Sequence, residues 1–305
     1  MKNNPLLSII IVSYNTSQIT VDCLKSIYTD KGLKDIPFEI IVIDNASPDD
    51  SVVQINKFIK SSKAKNCQLI LNENVGFGKA NNQGIRISKG NYILLLNPDT
   101  IILHSAISQS LIWLSAHPEA HMCSAQLLNK DLSIQASGGY FPNLANTIAW
   151  SLGFDDLPFF NSLVRPFHPH TPQFYTHEKL FLKDHQQDWV TGAFMLIRRS
   201  VVDKTKGFDE SYFMYGEEVE WAYRMHLAFP KSQCWYLVGP QIIHLGGASA
   251  IKRSDPIVRE YTGVISFFER HRPQWQTKVV KKVLKVNAFL RSLIIPIYKE
   301  VCSRI

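Results

Sequence analysis

Three apolar segments of this 305-residue chain each end in a short polar cluster that can bind a ligand. The segments "LLSIIIVSYN", "FEIIVIDNAS" and "NYILLLNPDT" close on residues 13–15, 44–47 and 97–99, which carry hydroxyl, amide and carboxylate groups. Apolar runs that stop at a turn signal are typical of buried strands in a parallel sheet. Because ligands of open α/β sheets bind beyond the carboxyl ends of the strands, we predict one crevice lined by all three clusters.

The carboxylate of Asp99 has two interpretations at this stage. Residues 100–113 are predicted to be helical, and an aspartate that precedes a helix commonly caps its first turn. Alternatively, Pro98 ends the strand and Asp99 enters the predicted crevice, where a carboxylate can bind a cation.

Strands that alternate with helices must hold these clusters in place. Residues 16–29, residues 49–61 and the segment "GFGKANNQGIRISKG" are predicted helices, and "CQLILNEN" is a further strand. The repeated β-α-β order predicts an α/β fold, a doubly wound and mostly parallel sheet with helices on both faces. A strand in "DWVTGAFMLIRRS", a helix at residues 217–229 and two short strands in "CWYLVGPQIIHLGGAS" extend this domain to about residue 255.

Composition narrows the class of protein. The chain is 45% hydrophobic and 19% charged, which is typical of a globular protein with a substantial core. Its five cysteines are scattered and form no CxxC pair, so we expect no disulfide framework or zinc site and a reducing cytoplasm. The N-terminal apolar run has one lysine and no small-residue cleavage site, which favours a buried first strand over a signal peptide. No segment reaches the roughly 20 apolar residues that span a bilayer.

Most of the net charge of +7 belongs to the last 31 residues of the chain. Residues 275–305 contain seven lysines and arginines and one acid, so the preceding body is nearly neutral and nucleic acid is not a predicted partner. Residues 275–301 are predicted to form one amphipathic helix. Its basic face and apolar face suit an anionic membrane surface, although the helix can equally pack on the body or on a second subunit of a homo-oligomer. The apolar residues at helical spacing are Val279, Val283, Val286, Leu290, Leu293, Ile297 and Val301.

Seven segments between residues 7 and 249 resemble, in their order, the inverting family 2 glycosyltransferases of the GT-A fold, especially the rhamnosyltransferase-like branch. They are "SIIIVSYNT", "IVIDNAS", "NENVGFGKANNQGI", "LLLNPDT", "VTGAFMLIRRS", "GFDESYFMYGEEVEWAYR" and "IIHLGGAS". The resemblance implies transfer of a sugar from a nucleotide-diphospho-sugar, such as dTDP-L-rhamnose, to a glycan or a polyprenyl-diphosphate-linked sugar in surface polysaccharide biosynthesis. It also implies a peripheral location at the cytoplasmic face of the membrane.

This resemblance divides the chain by role. Residues 1–129 are the implied donor half and residues 130–255 the implied acceptor half of a GT-A domain. Residues 256–305 are an implied basic, helical extension. Within the acceptor half, residues 130–188 are irregular and rich in proline, aromatic residues and histidine, which predicts functional loops or a lid.

A divalent cation, Mn²⁺ or Mg²⁺, is implied on the donor diphosphate. The Asp-x-Asp-like position is Asn97-Pro98-Asp99, so the implied ligand is Asp99 and Asn97 contacts the donor. His244, which precedes "LGGAS", resembles the second metal ligand of the family. From the residues alone, His244 can equally be a hydrogen-bonded core histidine at a strand end.

The resemblance also places residues on the donor and the acceptor. Asp44 and Asn45 would bind the nucleoside, and Tyr14 and Asn15 would lie where the family holds the base. Lys79 in "GFGKANN" is either a phosphate contact or a solvated helix residue. In "WVTGA", Trp189, Thr191 and Gly192 would lie beneath the acceptor, where small residues allow close backbone approach; Trp189 either stacks on a sugar or belongs to the core.

Inverting transfer needs a general base that deprotonates the acceptor hydroxyl. In the family, the aspartate of a Glu-Asp pair at the start of a helix has this role. Here the pair is Glu217-Glu218, so Glu218 is the implied base, with Glu217 and Glu220 as rivals. Acids in a first helical turn also stabilise the helix dipole, which is the alternative explanation.

Two other functional classes are alternatives to a glycosyltransferase. A nucleotidyltransferase would carry a glycine-rich, basic loop after its first strand, whereas "SYNTSQ" has neither glycine nor a basic residue. A membrane-associated nucleotide-sugar binder without activity stays open, because Asn97 and Glu218 depart from the residue types usual in the family.

Overall fold

The computed structural model describes residues 5–62, 64–157, 163–174, 179–231, 233–246 and 254–305. The strands in these ranges are β1 (Leu7–Ser13), β2 (Phe38–Asp44), β3 (Cys67–Leu71), β4 (Tyr92–Leu96), β5 (Thr100–Leu103), β6 (Ala120–Leu128), β7 (Ile134–Gln135), β8 (His185–Gln187), β9 (Phe194–Arg198) and β10 (Gln233–His244). The α-helices are α1 (Ser17–Tyr28), α2 (Ser51–Ser61), α3 (Phe77–Ile87), α4 (Ala106–Ala116), α5 (Leu144–Leu152), α6 (Arg199–Thr205), α7 (Glu217–Ala228), α8 (Asp255–His271), α9 (Gln274–Ser292) and α10 (Ile297–Arg304). Short 3-10 helices cover Lys31–Asp35 and Leu180–Leu182.

The strands form one mixed sheet in the order β3-β2-β1-β4-β9-β6-β10-β5, with β7 paired to β6 and β8 to β10. The four strands β3, β2, β1 and β4 are mutually parallel, and β6 is parallel to β10. The strand β9 is antiparallel to both β4 and β6 and joins the two parallel groups. The predicted doubly wound α/β architecture is confirmed.

Two apolar layers cover the sheet because successive strand residues point to opposite faces. In β1, Ile9 and Ile11 pack in the layer under α1, α2 and α4, whereas Ile10 packs in the layer under α6, α7 and α8. Every residue of β1 is buried, which accounts for its long apolar run. Because β1, β2 and β4 are mutually parallel, their polar ends lie at one edge of the sheet.

The predicted helix over residues 100–113 is wrong at its start. Thr100–Leu103 form β5, and α4 begins only at Ala106, after His104 and Ser105 with φ of 44° and 64°. The β-branched pair Ile101-Ile102 suits a strand, and β5 finds an antiparallel partner in β10, where Thr100 lies opposite His244. This distant pairing has no local sequence signal, and it brings His244 next to Asp99.

Two further predictions for the second half need correction. Residues 233–244 form one long strand with a register shift between Leu237 and Gln241, not two short strands. The segment 130–188, predicted to be irregular, contains the helix α5, whose start is closed by a capping box between Asn143 and Asn146.

The tail folds as two helices after α8, not as one. The chain turns after α9, and Pro296 precedes α10, because proline cannot continue a helix from the preceding turn. Val280, Leu284 and Ala288 of α9 are buried in the same core as Met195 of β9. Nowhere in the described parts of the chain is a helix both long and apolar enough to cross a membrane.

The outer side of α9 carries a second apolar stripe. The predicted apolar residues Val286, Leu290 and Leu293 are 46%, 51% and 68% exposed, so they do not make the contact with the body. Further exposed apolar side chains beside them are Trp275, Phe289, Ile294 and Ile295. We call this surface the outer stripe of α9.

Candidate functional site

A crevice of about 300 Å³ opens at the carboxyl ends of β1 and β4, where the sequence predicts it. It is lined by the polar clusters of these strands, by the start of α3, by the turn that precedes α7, by the end of β10 and by the first turns of α8. Its lining residues are Val12, Tyr14, Thr16, Asn45, Asn74, Gly76, Phe77, Asn97, Pro98, Asp99, Thr191, Phe213, Met214, Tyr215, Glu217, Glu218, His244, Asp255, Pro256 and Arg259.

Asp99 and His244 form a pair at the base of the crevice. Asp99 is only 6% exposed, and its Oδ1 lies 3.4 Å from His244 Nε2. On the other side of the imidazole, Nδ1 lies 2.6 Å from Gln135 Oε1. A carbonyl oxygen can only accept, so Nδ1 carries a proton, and Nε2 is the ring nitrogen that faces Asp99. The Asn97 amide donates to the same Nε2 over 3.3 Å.

This pair fits a divalent cation that also binds a ligand. One carboxylate and one neutral imidazole, oriented by Gln135, are ligands that Mn²⁺ accepts. The described residues contain no group of three or more His, Cys, Asp or Glu placed to hold a metal ion. Asp99 and His244 would therefore hold the ion together with oxygens of a bound ligand and water. Asp99 caps no helix, since β5 follows it directly.

The residues of the first two polar clusters differ in whether they line the crevice. Tyr14 and Asn45 line the crevice, whereas Asn15 and Asp44 do not. Both carboxylate oxygens of Asp44 accept hydrogen bonds from Ser47, from its amide at 2.9 Å and its hydroxyl at 2.7 Å. Asp44 thus fixes the loop that follows β2.

Asn45 and Asn15 hold neighbouring loops together as well. The Asn45 side chain donates to the Gly76 carbonyl and accepts from the Val75 amide, which fixes the loop before α3. Asn15 is exposed, has φ of 55° and donates its amide to Ser47 Oγ. Lys79 is not among the lining residues, and its charge acts on Glu210 at the protein surface.

The three acids at the start of α7 have different surroundings. Glu220 is 2% exposed and is bound by Arg224 at 2.8 Å and by His271 at 3.3 Å, so it is a structural ion-pair residue. Glu217 and Glu218 both line the crevice. Glu217 is 1% exposed, and its Oε2 has no hydrogen-bond partner among the described residues. Glu217 and Glu218 are therefore the two remaining candidates for the general base.

Burial raises the pKa of both crevice glutamates. For Glu217 the main cause is the loss of water, and the neighbouring Glu218 carboxylate adds to it, so its pKa is well above the usual range. For Glu218 desolvation again raises the pKa, while the backbone amides of Glu218 and Gly192 partly offset it. A partly buried carboxylate with a raised pKa is a stronger base than an exposed one.

Gly192 holds Glu218 at short range. Its amide donates to Glu218 Oε1 over 3.2 Å. A Cβ at this position would lie 2.8 Å from Phe77 Cζ and 3.2 Å from Glu218 Oε1, so only glycine fits between the ring and the carboxylate. These contacts are with side chains of the protein, and the place of Gly192 beneath an acceptor stays a prediction.

The turn before α7 is packed against α8. Tyr215 and Gly216 have positive φ values of 72° and 95°. A Cβ on Gly263 of α8 would lie 2.6 Å from the Tyr215 carbonyl oxygen, so α8 approaches this turn backbone to backbone. The position of the crevice glutamates therefore depends on α8.

A side chamber of about 280 Å³ adjoins the crevice and shares Thr191, Tyr215, Glu218 and Pro256 with it. Trp189, Thr191 and Glu218 line it, together with the pair formed by His168 Nε2 and Glu260 Oε1, 3.1 Å apart. Trp189 is 7% exposed and donates its indole N–H to the Tyr140 carbonyl, so it is both a core residue and a wall of the chamber. The other lining residues are Pro142, Phe167, Tyr215, Gly216, Val219, Pro256, Gly263, Val264 and Phe267.

Comparison with known families agrees with this geometry. The profile of "Glycosyl transferase family 2" matches residues 8–205, which is more than half of the chain. The chain belongs to this family.

Two curated relatives of this family 2 protein are rhamnosyltransferases by name. Rhamnosyltransferase WbbL of Escherichia coli (strain K12) is 28% identical over 162 residues, which are 50% of this chain and 55% of that protein. The N-acetylglucosaminyl-diphospho-decaprenol L-rhamnosyltransferase of Mycobacterium tuberculosis (strain CDC 1551 / Oshkosh) is 27% identical over 155 residues, 50% of this chain and 46% of that protein. The matches span about half the length of these relatives.

Solved structures show that the fold of this family 2 chain is GT-A. The mannosyltransferase PcManGT from Pyrobaculum calidifontis, in complex with GDP-Man and Mn²⁺, has a TM-score of 0.56 at 14% identity and covers 98% of this chain and 74% of its own. GalNAc-T7 with UDP, GalNAc and Mn²⁺ has a TM-score of 0.59 at 14% identity and covers 88% of this chain and 48% of its own. The predicted fold and family are confirmed.

The sequence reasoning missed the part of the family 2 site that comes from α8. Asp255, Pro256 and Arg259 line the crevice, although the division at residue 255 placed most of α8 outside the GT-A domain. An arginine preceded by four residues of helix start carries no local signal of a site. Packing against distant residues brings α8 to the crevice, through the apolar core that it shares with α7 and the close approach of Gly263 to the turn before α7.

Proposed function

We propose that this protein is an inverting, divalent-metal-dependent glycosyltransferase whose general base is Glu218. The observation that carries the proposal is the position of Glu218 at the boundary between two cavities. It lines both the crevice that contains Asp99 and His244 and the side chamber that contains Trp189. A base between a donor and an acceptor can take a proton from the acceptor hydroxyl as this attacks the sugar.

The crevice is the donor site in this proposal. Asp99 and His244 would hold Mn²⁺ or Mg²⁺, which would offset the charge of the donor diphosphate and help it to leave. Tyr14 and Asn45 would lie beside the nucleoside, and Asn97 beside the sugar diphosphate. The names of the curated relatives favour an L-rhamnosyl donor such as dTDP-L-rhamnose.

The reaction needs one displacement. The acceptor oxygen forms a bond to the anomeric carbon on the face opposite the diphosphate, and the bond from that carbon to the phosphate oxygen breaks. Its electron pair leaves with the nucleoside diphosphate, and the acceptor proton moves to Glu218. The Gly192 amide, 3.2 Å from Glu218 Oε1, fixes the carboxylate for this transfer.

The side chamber is the acceptor site in this proposal. Its aromatic walls suit the apolar face of a sugar, and the His168–Glu260 pair offers groups that hydrogen-bond hydroxyls. A polyprenyl-diphosphate-linked sugar is the proposed acceptor, because one relative is named for a diphospho-decaprenol substrate.

A lipid-linked acceptor requires the protein to work at a membrane surface. The outer stripe of α9 is apolar, and the exposed lysines Lys278, Lys282 and Lys285 lie along the same helix. We propose that this side of α9 lies on the anionic inner face of the cell membrane.

The first experiment tests the donor site by thermal shift. The panel contains dTDP-, UDP- and GDP-sugars, each with and without Mn²⁺, since a bound ligand stabilises the fold by mass action. We expect one nucleotide to raise Tm in the presence of Mn²⁺, and Asp99→Ala to abolish this increase. Asp22→Ala, an exposed acid on α1, is the matched control. No shift with any donor would contradict the proposed donor site.

The second experiment tests the base. Glu218→Gln should reduce sugar transfer about 100-fold or more while donor binding stays near the wild-type value, because general-base catalysis contributes roughly 10²- to 10⁴-fold. Glu119→Gln, an exposed acid, is the control. Full transfer by Glu218→Gln together with loss of transfer by Glu217→Gln would move the role to Glu217.

The membrane contact is tested by flotation with vesicles that contain anionic lipid. Leu290→Ser/Leu293→Ser should reduce flotation at low salt. Ile112→Ser is the control, because Ile112 is 63% exposed on α4, which covers the opposite face of the sheet. Equal flotation of wild type, variant and control would contradict the proposed surface.

A further inference from the structure

Arg259, in the second turn of α8, lies near the acids of the crevice, and its charge partly offsets the raised pKa of Glu217. Its guanidinium carbon lies 4.6 Å from the centre of the Phe213 ring, and Nη1 lies 3.6 Å from Met214 Sδ. It forms no ion pair with any carboxylate among the described residues. A thioether sulfur is a weak acceptor, so most of the five N–H groups have no strong partner among the described residues.

The position of Arg259 is inside the donor crevice. Arg259, Phe213 and Met214 all line it, together with Asp99 and His244. Among the described residues that line the crevice, Arg259 is the one lysine or arginine, since Lys79 lies elsewhere. A cation that lines a crevice and leaves its N–H groups unfilled is available to an anionic ligand.

The charge of the crevice calls for such a cation. Four carboxylates line it, those of Asp99, Glu217, Glu218 and Asp255, and only Asp255 has an arginine partner, Arg304 at 2.8 Å. A diphosphate that enters would add at least two negative charges. A divalent cation held by Asp99 and His244 would offset part of this repulsion, and Arg259 would supply a second positive group in the same crevice.

The ring of Phe213 lies under the Arg259 guanidinium. Arginine stacks on aromatic rings and still presents its N–H groups as a fork that can reach two ligand oxygens at once. Bidentate contact with phosphate oxygens is a geometry that arginine provides and lysine does not. We infer that Arg259 binds the diphosphate of the nucleotide-sugar donor, a step that rests on the proposed function.

This contact acts on the leaving group of the reaction. When the bond between the anomeric carbon and the phosphate oxygen breaks, the electron pair stays on the diphosphate and its charge increases. A fixed guanidinium stabilises that charge more strongly as it develops, so Arg259 contributes to rate as well as to binding.

The test compares a nucleoside diphosphate with the matching monophosphate, by calorimetry in the presence of Mn²⁺, using the nucleotide that wild type binds. We expect Arg259→Gln to weaken the diphosphate about 10- to 100-fold, as for loss of hydrogen bonds to a charged group, and the monophosphate by less than about threefold. Arg259→Lys should give an intermediate loss. Lys278→Gln, which removes an exposed positive charge on α9, should behave as wild type.

The outcomes separate this inference from the proposed function. If wild type binds the diphosphate and Arg259→Gln binds it equally well, the inference fails and the proposed function stands. An equal loss of both nucleotides by Arg259→Gln and by Arg259→Lys also overturns the inference, because it places Arg259 on the nucleoside or in the fold. If wild type binds no nucleoside diphosphate, both fail.

Discussion

Replacement of Gly192 by alanine tests whether the spacing between Phe77 and Glu218 is as tight as the structure shows. The new Cβ would lie 2.8 Å and 2.9 Å from two carbons of the Phe77 ring, whereas ordinary contact begins at 3.4 Å. The ring or the turn before β9 must therefore withdraw by roughly 0.6 Å, and Glu218 Oε1, at 3.2 Å from the Cβ, must move as well.

Two magnitudes follow from this displacement. Overpacking of a close-packed site costs about 1–3 kcal/mol, which lowers the Tm of a chain this large by about 2–5 °C. Misplacement of a reacting group by about 1 Å costs about 100-fold in rate, so a shift of roughly 0.6 Å should lower kcat about 10- to 100-fold. Donor binding should change less, because the Asp99–His244 pair is not displaced.

The assay is sugar transfer, measured as kcat and KM, together with thermal denaturation of the same samples. Gly239→Ala is the matched control, because a Cβ there meets no atom within 4 Å. The double variant Gly192→Ala/Phe77→Leu removes the ring and should recover part of the lost stability, which a double-mutant cycle would measure. Gly192→Ala with a Tm within about 1 °C and a kcat within twofold of wild type would refute the reasoning.

Three further predictions concern the titrating and metal-binding groups. Burial raises the pKa of Glu217 above the 4.5 of a free side chain, so its ionisation opposes folding increasingly as pH rises above 4.5. The Tm of Glu217→Gln should therefore rise relative to that of wild type between pH 5 and 8. A Tm difference between the two proteins that stays constant over this range would contradict the prediction. If Glu218 is the base, the acidic limb of kcat/KM should have its midpoint above the usual carboxyl range and should disappear in Glu218→Gln. Gln135→Ala frees the His244 ring and should raise the Mn²⁺ concentration needed for the donor-dependent Tm shift about 10- to 100-fold, whereas Gln54→Ala on α2 should not.

The parallel half of the fold could be predicted because its signals are local. The apolar runs of β1, β2 and β4 and their polar ends identify both the strands and the edge at which Asp99 lies. The strand β5 has no such signal, because "TIIL" directly before a helical segment is compatible with an earlier start of the helix α4. The antiparallel pairing with β10, which lies far along the chain, favours the strand.

The candidate site shows the same division between local and distant information. Glu218 and Glu220 are both acids near the start of one helix, and spacing does not separate their roles. Their distant neighbours do, since Arg224 and His271 hold Glu220 while Gly192 contacts Glu218. Arg259 has no local signal either, because α8 reaches the crevice through contacts with distant residues, such as the close approach of Gly263 to Tyr215.

The contact between Gly263 and the turn before α7 has a consequence for the order in which the protein is made. Chains grow from the N-terminus and can begin to fold as they emerge from the ribosome. The sheet from β1 to β9 and the glutamates of α7 emerge before α8, so the growing chain can assemble much of its core while the turn at Tyr215 still lacks the helix that holds it. We therefore expect the ability to bind a donor to appear late in synthesis, only when α8 has left the ribosome and closed the crevice.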